Sequence, residues 1–212
     1  MIEAKKITKK FDGIRVLDNI NITIQDCEMV AIVGVSGSGK TTLLNILGLI
    51  DDDFEGTLCI NKKAFHHMKK HTRIQYIRNN INYLFQNYAL VDDETIIDNL
   101  MYALYYTKYS KQEKKALIED ALLEVGLNGM SEKKIFKLSG GEQQRVALAR
   151  LILKPANIIL ADEPTGNLDD ENRNVVLRIL HKLNEEGKTI VIVTHDREVA
   201  NSCNRIITLS NL

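Results

Sequence analysis

The residues most able to do chemistry form the run GVSGSGKT at positions 34–41. The run fits the pattern G-x-x-x-x-G-K-[ST], in which glycines let the backbone approach a ligand and successive amides form an anion site. We expect a phosphate cradle made of Gly34, Ser36, Gly37, Ser38, Gly39, Lys40, Thr41 and Thr42. Lys40 would reach the β- and γ-phosphates of a nucleotide, and the Thr41 hydroxyl would bind Mg²⁺. The alternative is a chance glycine-rich turn, which the strand pattern before it and the helix pattern after it disfavour.

A second chemical signal is the acidic pair Asp162 and Glu163, which follows an apolar run at 158–161. In parallel sheets, ligands bind at the carboxyl ends of the strands. One carboxylate there can hold Mg²⁺, and its neighbour can orient or deprotonate the attacking water. We assign Asp162 to the metal and Glu163 to the water. A solvated acidic loop is the alternative, and the cradle in the same chain favours the catalytic interpretation.

The elements that position these residues follow from apolar periodicity. Continuous apolar runs at 29–33, 158–161 and 189–194 predict strands buried on both faces, and a further strand is predicted at 205–209. Alternation of Ile20, Ile22 and Ile24 predicts a half-buried strand. Helical patterns occur at 41–50, 111–125 and 172–184, and the region from 95 to about 153 shows few strand signals. Strand–helix–strand order implies parallel βαβ units.

Composition limits the class of protein. The 212 residues include 28 basic and 28 acidic side chains, so the net charge of +0 lacks the basic excess of a nucleic-acid binder. The cysteines are odd in number and widely spaced, which indicates reduced thiols: Cys27, Cys59 and Cys203. No signal peptide or spanning segment is visible in the sequence, so we expect contact with a membrane only through a partner.

Further motifs give the chain a family resemblance. The string LSGGEQQR at 138–145 resembles the signature sequence of ABC ATPases, and the other motifs of that family occur in the family's order. Gln86 matches the Q-loop glutamine, and Asn167, Leu168 and Asp169 match the D-loop. His195 matches the switch histidine, and Phe11 matches the aromatic residue that stacks on adenine. The resemblance covers essentially the whole chain.

The resemblance implies an α/β fold: a P-loop NTPase (RecA-like) core with an N-terminal antiparallel β subdomain and an inserted α-helical subdomain. Residues 1–212 then form one ABC ATPase domain. In it, 1–85 and 156–212 make the ATP-binding core and β subdomain, and about 87–153 make the helical subdomain with the signature.

The resemblance also implies an ATPase with ATP and Mg²⁺ as cofactors. Gln86 then contacts Mg²⁺ or water, and His195 contacts the γ-phosphate. The catalytic residues are Glu163, His195, Lys40 and Gln86, and the metal ligands are Thr41, Gln86 and Asp162.

The signature residues Ser139, Gly140 and Gly141 precede an apolar periodic run, so they form a second anion site at a helix start. In the family, the signature of one subunit closes on the γ-phosphate held by the other, and the resemblance implies that the signature residues and Asp169 contact the bound nucleotide. The resemblance therefore implies a two-fold homodimer in the ATP-bound state. It further implies separate transmembrane permease subunits, no nucleic acid, and a peripheral position at the cytoplasmic face of a bacterial cell membrane.

The branch of the family is indicated by ADEPTGNLD at 161–169, which resembles exporter ATPases of macrolide, lipoprotein-release and bacteriocin or peptide systems. This predicts export of a peptide, bacteriocin or lipophilic compound. The alternative is a non-transport ABC ATPase that acts in translation or DNA repair. A single ATPase domain, without a sustained heptad run between Lys40 and Ser139, favours transport.

Several residues keep an alternative interpretation. Phe11 could be a core phenylalanine at a strand end. A metal site at His66, His67 and His71 is disfavoured, because no local carboxylate or cysteine completes the ligand set and the neighbouring lysines repel a cation. Most of a helical aromatic stretch is expected to pack within the helical lobe, with a partner surface as the alternative; it comprises Tyr102, Tyr105, Tyr106 and Tyr109.

Overall fold

The structure is a computed structural model that describes residues 1–65, 68–166 and 168–209. In chain order these residues form β1 (Ile2–Phe11), β2 (Ile14–Ile24), β3 (Met29–Val33), α1 (Lys40–Leu47), β4 (Glu55–Ile60), β5 (Lys63–Ala64), α2 (Lys70–Asn80), β6 (Ile81–Leu84), α3 (Ile96–Met101), α4 (Lys111–Glu124), α5 (Gly140–Leu153), β7 (Ile158–Asp162), α6 (Asp170–Glu185), β8 (Thr189–Val193), α7 (Arg197–Asn201) and β9 (Arg205–Thr208). The chain divides into two compact units. Unit 1 comprises residues 1–83, 156–164 and 182–212, and unit 2 comprises 84–155 and 165–181.

An antiparallel sheet with the strand order β2-β1-β4-β5 lies in unit 1. In β1, Ile2, Ala4 and Ile7 are buried, and the alternation is interrupted by a bulge at Lys6, whose φ is 53°. The hairpin of β1 and β2 pairs Phe11 with Ile14 at its turn. The sheet therefore supplies the antiparallel β layer that the sequence predicts.

A second sheet has the strand order β6-β7-β8-β3-β9. The pairs β7–β8, β8–β3 and β3–β9 are parallel, and β7 and β8 are buried along their whole length. This is why those segments are continuous apolar runs in the sequence. Because Ile32 and Asp162 both pair with Val193, the ends of β3, β7 and β8 lie at one edge of the sheet.

Unit 2 is helical, with α3, α4 and α5 packed on one another. Helix α4 begins at a capping box in which Ser110 accepts from the Glu113 amide and Glu113 accepts from the Ser110 amide. The predicted helix at 111–125 agrees with α4 to within one residue. The predicted subdomain boundaries stay a prediction. Across 1–65, 68–166 and 168–209, no helix has both the length and the apolar character needed to cross a bilayer.

Helices α1 and α2 differ from the sequence-based expectation. Helix α1 ends at Leu47, before the predicted residue 50, because Gly48 caps it and Leu49 has a left-handed φ of 60°. Helix α2 was not predicted, since it buries none of its residues and therefore has no apolar periodicity.

Candidate nucleotide-binding site

The predicted phosphate cradle is the loop between β3 and α1. Gly39 caps α1 with φ 84° and ψ 13°, and a Cβ there would lie 2.8 Å from the Val16 carbonyl oxygen and from a Leu17 methyl. Gly37 also has a positive φ of 81°. Only glycine meets both demands at position 39, a left-handed backbone and close backbone approach. The loop thus brings the chain sharply from a buried strand into the first turn of a helix.

The donors of this loop fit a phosphate group. Among the described residues, nothing hydrogen-bonds to the buried Ser38 Oγ. Lys40 is nearly buried, and its Nζ donates to the carbonyls of Gly34 at 2.9 Å and Val35 at 3.0 Å. No described side chain caps the amides that open α1. An anion in the loop would accept hydrogen bonds from these donors. It would also be stabilised by the partial positive charge at the N-terminus of α1.

Asp162 and Thr41 meet at the predicted metal position. Asp162 is the last residue of β7, and its Oδ1 accepts a hydrogen bond from Thr41 Oγ1 at 3.1 Å. Burial is the main cause that raises the pKa of Asp162; the Thr41 hydrogen bond lowers it, the Glu163 charge raises it and the Lys40 charge lowers it. A hydroxyl and a carboxylate are hard oxygen ligands of the kind Mg²⁺ prefers, so the pair fits that ion.

Glu163 and His195 form a pair just beyond the carboxyl ends of β7 and β8. The His195 Nδ1 lies 2.9 Å from Glu163 Oε1, and the Glu163 amide donates to the Val193 carbonyl at 2.9 Å. Glu163 has a left-handed φ of 46°, a conformation that costs a non-glycine residue about 1–2 kcal/mol. Strain of this kind persists where surrounding contacts fix it, and it is common at active sites. The arrangement holds a carboxylate in one orientation beside Asp162.

Phe11 ends β1 at the hairpin turn and is 48% exposed. The ring is therefore not a core phenylalanine, and the packing alternative does not describe it. Its ring centroid lies 4.9 Å from Lys9 Nζ. The adenine contact of Phe11 stays a prediction.

The signature residues open α5 in unit 2. Ser139 is the N-cap, and it shares a capping box with Glu142: the Ser139 amide donates to Glu142 Oε2 at 2.7 Å, and Ser139 Oγ accepts from the Glu142 amide at 3.3 Å. Ser139 and Gly140 are exposed. A Cβ on Gly141 would lie 3.1 Å from the Asn172 side chain, so a larger residue there would need Asn172 to shift. The second predicted anion site is therefore an exposed helix start.

Comparison with known proteins decides the family. A sequence profile described as "ABC transporter" matches residues 17–166 of the chain. The chain belongs to the ABC transporter family. Over its full length it is 42% identical to the "Macrolide export ATP-binding/permease protein MacB" of Bartonella quintana and 40% identical to that of Burkholderia lata. It covers 33% and 31% of those proteins, so it spans about a third of the length of the curated relatives it matches.

Solved structures agree in fold. The "Dimeric Structure of MJ0796, a Bacterial ABC Transporter Cassette" superposes with a TM-score of 0.92 at 37% identity and covers 99% of this chain and 94% of that one. A "post-hydrolysis state of the ATP-binding cassette MJ0796 bound to ADP and Pi" gives 0.91 at 36% identity, covering 99% and 94%. These findings confirm the predicted α/β P-loop NTPase fold. They also confirm that this ABC domain is an ATPase.

The D-loop residue Asp169 of this ABC ATPase has a structural role that the sequence did not show. Its Oδ1 accepts from the Asn172 amide at 2.8 Å and from the Asn172 side chain at 2.9 Å, just before and within the first turn of α6. The Asn172 side-chain oxygen in turn accepts from Arg145, the last residue of the signature string. Asn167, the first D-loop residue, lies outside the described residues.

The Q-loop residue Gln86 is exposed in the turn that follows β6 and belongs to unit 2. The same turn contains Tyr88 and Ala89 in left-handed conformations, with φ of 61° and 48°. Arg150 of α5 donates to the carbonyls of both residues, at 2.6 Å for Ala89. Sequence reasoning missed Arg150, because it lies far from the turn along the chain.

Unit 1 thus contains the cradle, Asp162, Glu163, His195 and Phe11, and unit 2 contains Gln86, the signature and Asp169. Each assigned ligand role stays a prediction.

The remaining sequence hypotheses have different outcomes. His66 and His67 lie outside the described residues, and His71 is exposed in α2. Within the described ranges, no group of three or more His, Cys, Asp or Glu side chains could hold a metal ion. The expected packing of the tyrosines is wrong, because every member of the stretch has more than half its surface exposed: Tyr102, Tyr105, Tyr106 and Tyr109.

Proposed function

We propose that this ABC ATPase drives an exporter: two copies close on two Mg²⁺·ATP molecules, and closure moves a transmembrane permease. The observation that carries the proposal is one edge of the parallel sheet in unit 1. There, the cradle contains Lys40 and the Ser38 hydroxyl, which has no hydrogen-bond partner among the described residues. Thr41 donates to Asp162, and Glu163 pairs with His195. ATP hydrolysis requires hydrogen-bond donors for the phosphates, a pair of oxygens suited to Mg²⁺ and an oriented base.

Binding of ATP would use groups that already point into the loop. Lys40 would exchange its two carbonyl partners for the β- and γ-phosphates, and the amides that open α1 would take the remaining oxygens. Thr41 and Asp162 would hold Mg²⁺, which neutralises developing charge on the phosphate oxygens. On the surface of unit 1, Phe11 would stack on the adenine.

Hydrolysis would depend on Glu163. Its carboxylate would orient the attacking water and take its proton, and His195 would fix the carboxylate and contact the γ-phosphate. Gln86 would contact Mg²⁺ or the water.

A closed dimer would complete each site. The exposed start of α5, with Ser139, Gly140 and Gly141, would meet the γ-phosphate bound to the other copy. Asp169 would also contact the bound nucleotide. The similarity to dimeric cassettes supports this arrangement.

Export is the proposed direction of transport. The similarity of the whole chain to part of the proteins named macrolide export ATP-binding/permease supports it. The substrate would be a peptide, bacteriocin or lipophilic compound, and the chain would act at the cytoplasmic face of a bacterial membrane through separate permease subunits. Translation and DNA repair roles gain no support from the comparisons.

Two serine variants test the dimer. Ser139→Arg places a large cation at the start of α5, and Ser110→Arg makes the same change at α4, which begins with the same kind of capping box. Loss of either cap costs about 1 kcal/mol of stability. We expect Ser139→Arg to bind ATP, stay monomeric in gel filtration and lose ATPase activity. Ser110→Arg should still form the ATP-bound dimer and hydrolyse ATP. A fully active Ser139→Arg protein would contradict completion of the site by a second copy.

Purification of the tagged chain from its native membranes in mild detergent tests the transport role. A multi-span protein at equal stoichiometry, on a separate band in a denaturing gel, would support the proposed permease. Ribosomes or DNA without any membrane protein would overturn the transport proposal and leave the ATPase chemistry intact.

A further inference from the structure

Lys9 lies at a buried position of β1, two residues before Phe11. It follows Ile2, Ala4 and Ile7 in the buried face of the strand and is only 4% exposed. An apolar side chain would fill this position without desolvating a charge, and lysines are almost never buried unless they are paired. A local conflict of this kind between residue type and environment points to a functional demand.

The ammonium of Lys9 is fixed by three acceptors. Its Nζ donates to Asp51 Oδ1 at 3.0 Å, to Asp53 Oδ2 at 3.2 Å and to the Asp53 carbonyl oxygen at 2.5 Å. Burial lowers the pKa of Lys9, but the hydrogen bonds and charges of Asp51 and Asp53 together raise it above its ordinary value. A lysine has three N–H donors, so the side chain is both charged and held in one place.

The same ammonium contacts the ring of Phe11. The distance of 4.9 Å from Nζ to the ring centroid is within the range of a cation–π interaction. Because Lys9 is buried and Phe11 is 48% exposed, the cation lies on the protein side of the ring. About half of the Phe11 surface stays open to solvent, where a base could stack.

The acceptors of Lys9 are tied to the helix that starts at the cradle. The amides of Ile50 and Asp51 both donate to the Asn45 carbonyl of α1, at 2.9 Å and 3.2 Å. Helix α1 begins at Lys40. Asp51 therefore connects the end of the phosphate-binding helix to Lys9, and Lys9 connects it to the aromatic ring.

We propose that Lys9 is a positioning residue for adenine recognition, which orients the Phe11 ring from its buried side and fixes it relative to the phosphate cradle. The proposal rests on the proposed function, in which Phe11 takes the base and the cradle takes the phosphates. An aromatic ring held in advance loses less conformational freedom when a base stacks on it. Lys9 therefore contributes to affinity for the base and leaves affinity for the phosphates unchanged.

The test compares ATP with inorganic tripolyphosphate, each with Mg²⁺, by titration calorimetry. Lys9→Met is combined with Asp51→Asn, because the partly buried Asp51 carboxylate, left without its cation, would destabilise the fold. We expect the double variant to bind ATP about 3- to 10-fold more weakly and tripolyphosphate as tightly as the parent. The matched control is Lys10→Met, which removes a lysine paired with Glu55 and should change neither affinity.

Phe11→Ala separates this inference from the adenine contact itself. It should weaken ATP binding roughly 5- to 100-fold without affecting tripolyphosphate, and the Lys9 and Asp51 changes should add nothing further in that background. If only Phe11→Ala affects ATP, the Lys9 inference is overturned and the adenine contact stands. Equal losses for both ligands, or an undiminished loss in the Phe11→Ala background, would also overturn it. No effect of Phe11→Ala would overturn both the Phe11 assignment and the Lys9 inference, whereas the ATPase function would stand.

Discussion

Replacement of Glu163 by glutamine isolates the proton-transfer step from nucleotide binding. The amide keeps the size of the side chain and can still bond His195, which lies 2.9 Å from the carboxylate. It can no longer take a proton from water. The left-handed backbone at position 163 is as accessible to glutamine as to glutamate, so the geometry of the site should be retained.

The size of the effect follows from the role. Loss of a positioned general base lowers rates by about 10²- to 10⁴-fold, equal to about 3–5 kcal/mol in the barrier. Binding of ATP should stay intact, because the cradle is unchanged and one negative charge near the phosphates is removed. Glu163→Gln should therefore accumulate as an ATP-bound dimer.

The assay is steady-state ATP hydrolysis with Mg²⁺, together with gel filtration in ATP. The matched control is Glu113→Gln in the capping box of α4, where glutamine still completes the box, and it should leave hydrolysis unchanged. Turnover of Glu163→Gln within about twofold of the parent would remove Glu163 from the role of base. Loss of ATP affinity in the variant would show that the carboxylate acts in binding.

Two further predictions concern stability and reactivity. Gly56 has a φ of 105°, and a Cβ there would lie 2.4 Å from the Lys6 carbonyl oxygen; Gly56→Ala should destabilise by about 2 kcal/mol and lower the thermal midpoint by about 4–8 °C. Gly126→Ala, with φ 72° and open space, should shift it less, and equal shifts would contradict the clash. Burial raises the pKa of the Cys203 thiol to about 11. Because the thiolate is the reactive form, the alkylation rate of Cys203 should increase about tenfold for each unit by which the pH is raised towards that value. At pH 8 the exposed Cys27 should react first, which mass spectrometry of alkylated peptides would reveal.

The sequence predicts those elements whose burial is uniform or strictly periodic. Strands β3, β7 and β8 are apolar apart from Asp162 and Thr189 because both faces are covered. The buried residues of α4 recur at helical spacing because one face is covered. Helix α2 escaped prediction because it buries none of its residues. Strand β1 was not identified because a bulge at Lys6 shifts its alternation and Lys9 occupies a buried position.

Some residues of the site could be predicted from the sequence, and others could not. The cradle and the Asp162–Glu163 pair were predictable because their spacing is local and each lies next to a buried strand. The partner of Glu163 was not, because the contact with His195 depends on β7 and β8 being neighbours in the sheet. Lys9 offered one usable signal, a lysine in the buried register of a strand, and that signal appears only after the bulge is placed.

Helix α5 shows why the remaining contacts needed the fold. Its first turn carries the signature cap at Ser139, its second turn carries Arg145, which bonds the Asn172 that holds the D-loop Asp169, and its last turn carries Arg150. Arg150 donates to the turn that follows Gln86. Two consecutive left-handed residues cost a few kcal/mol in that turn, and charge-assisted hydrogen bonds to their carbonyls offset part of that cost. Three motifs that are far apart in the sequence are therefore held by one helix, and the side chains that hold two of them lie outside the residues expected to contact the ligand.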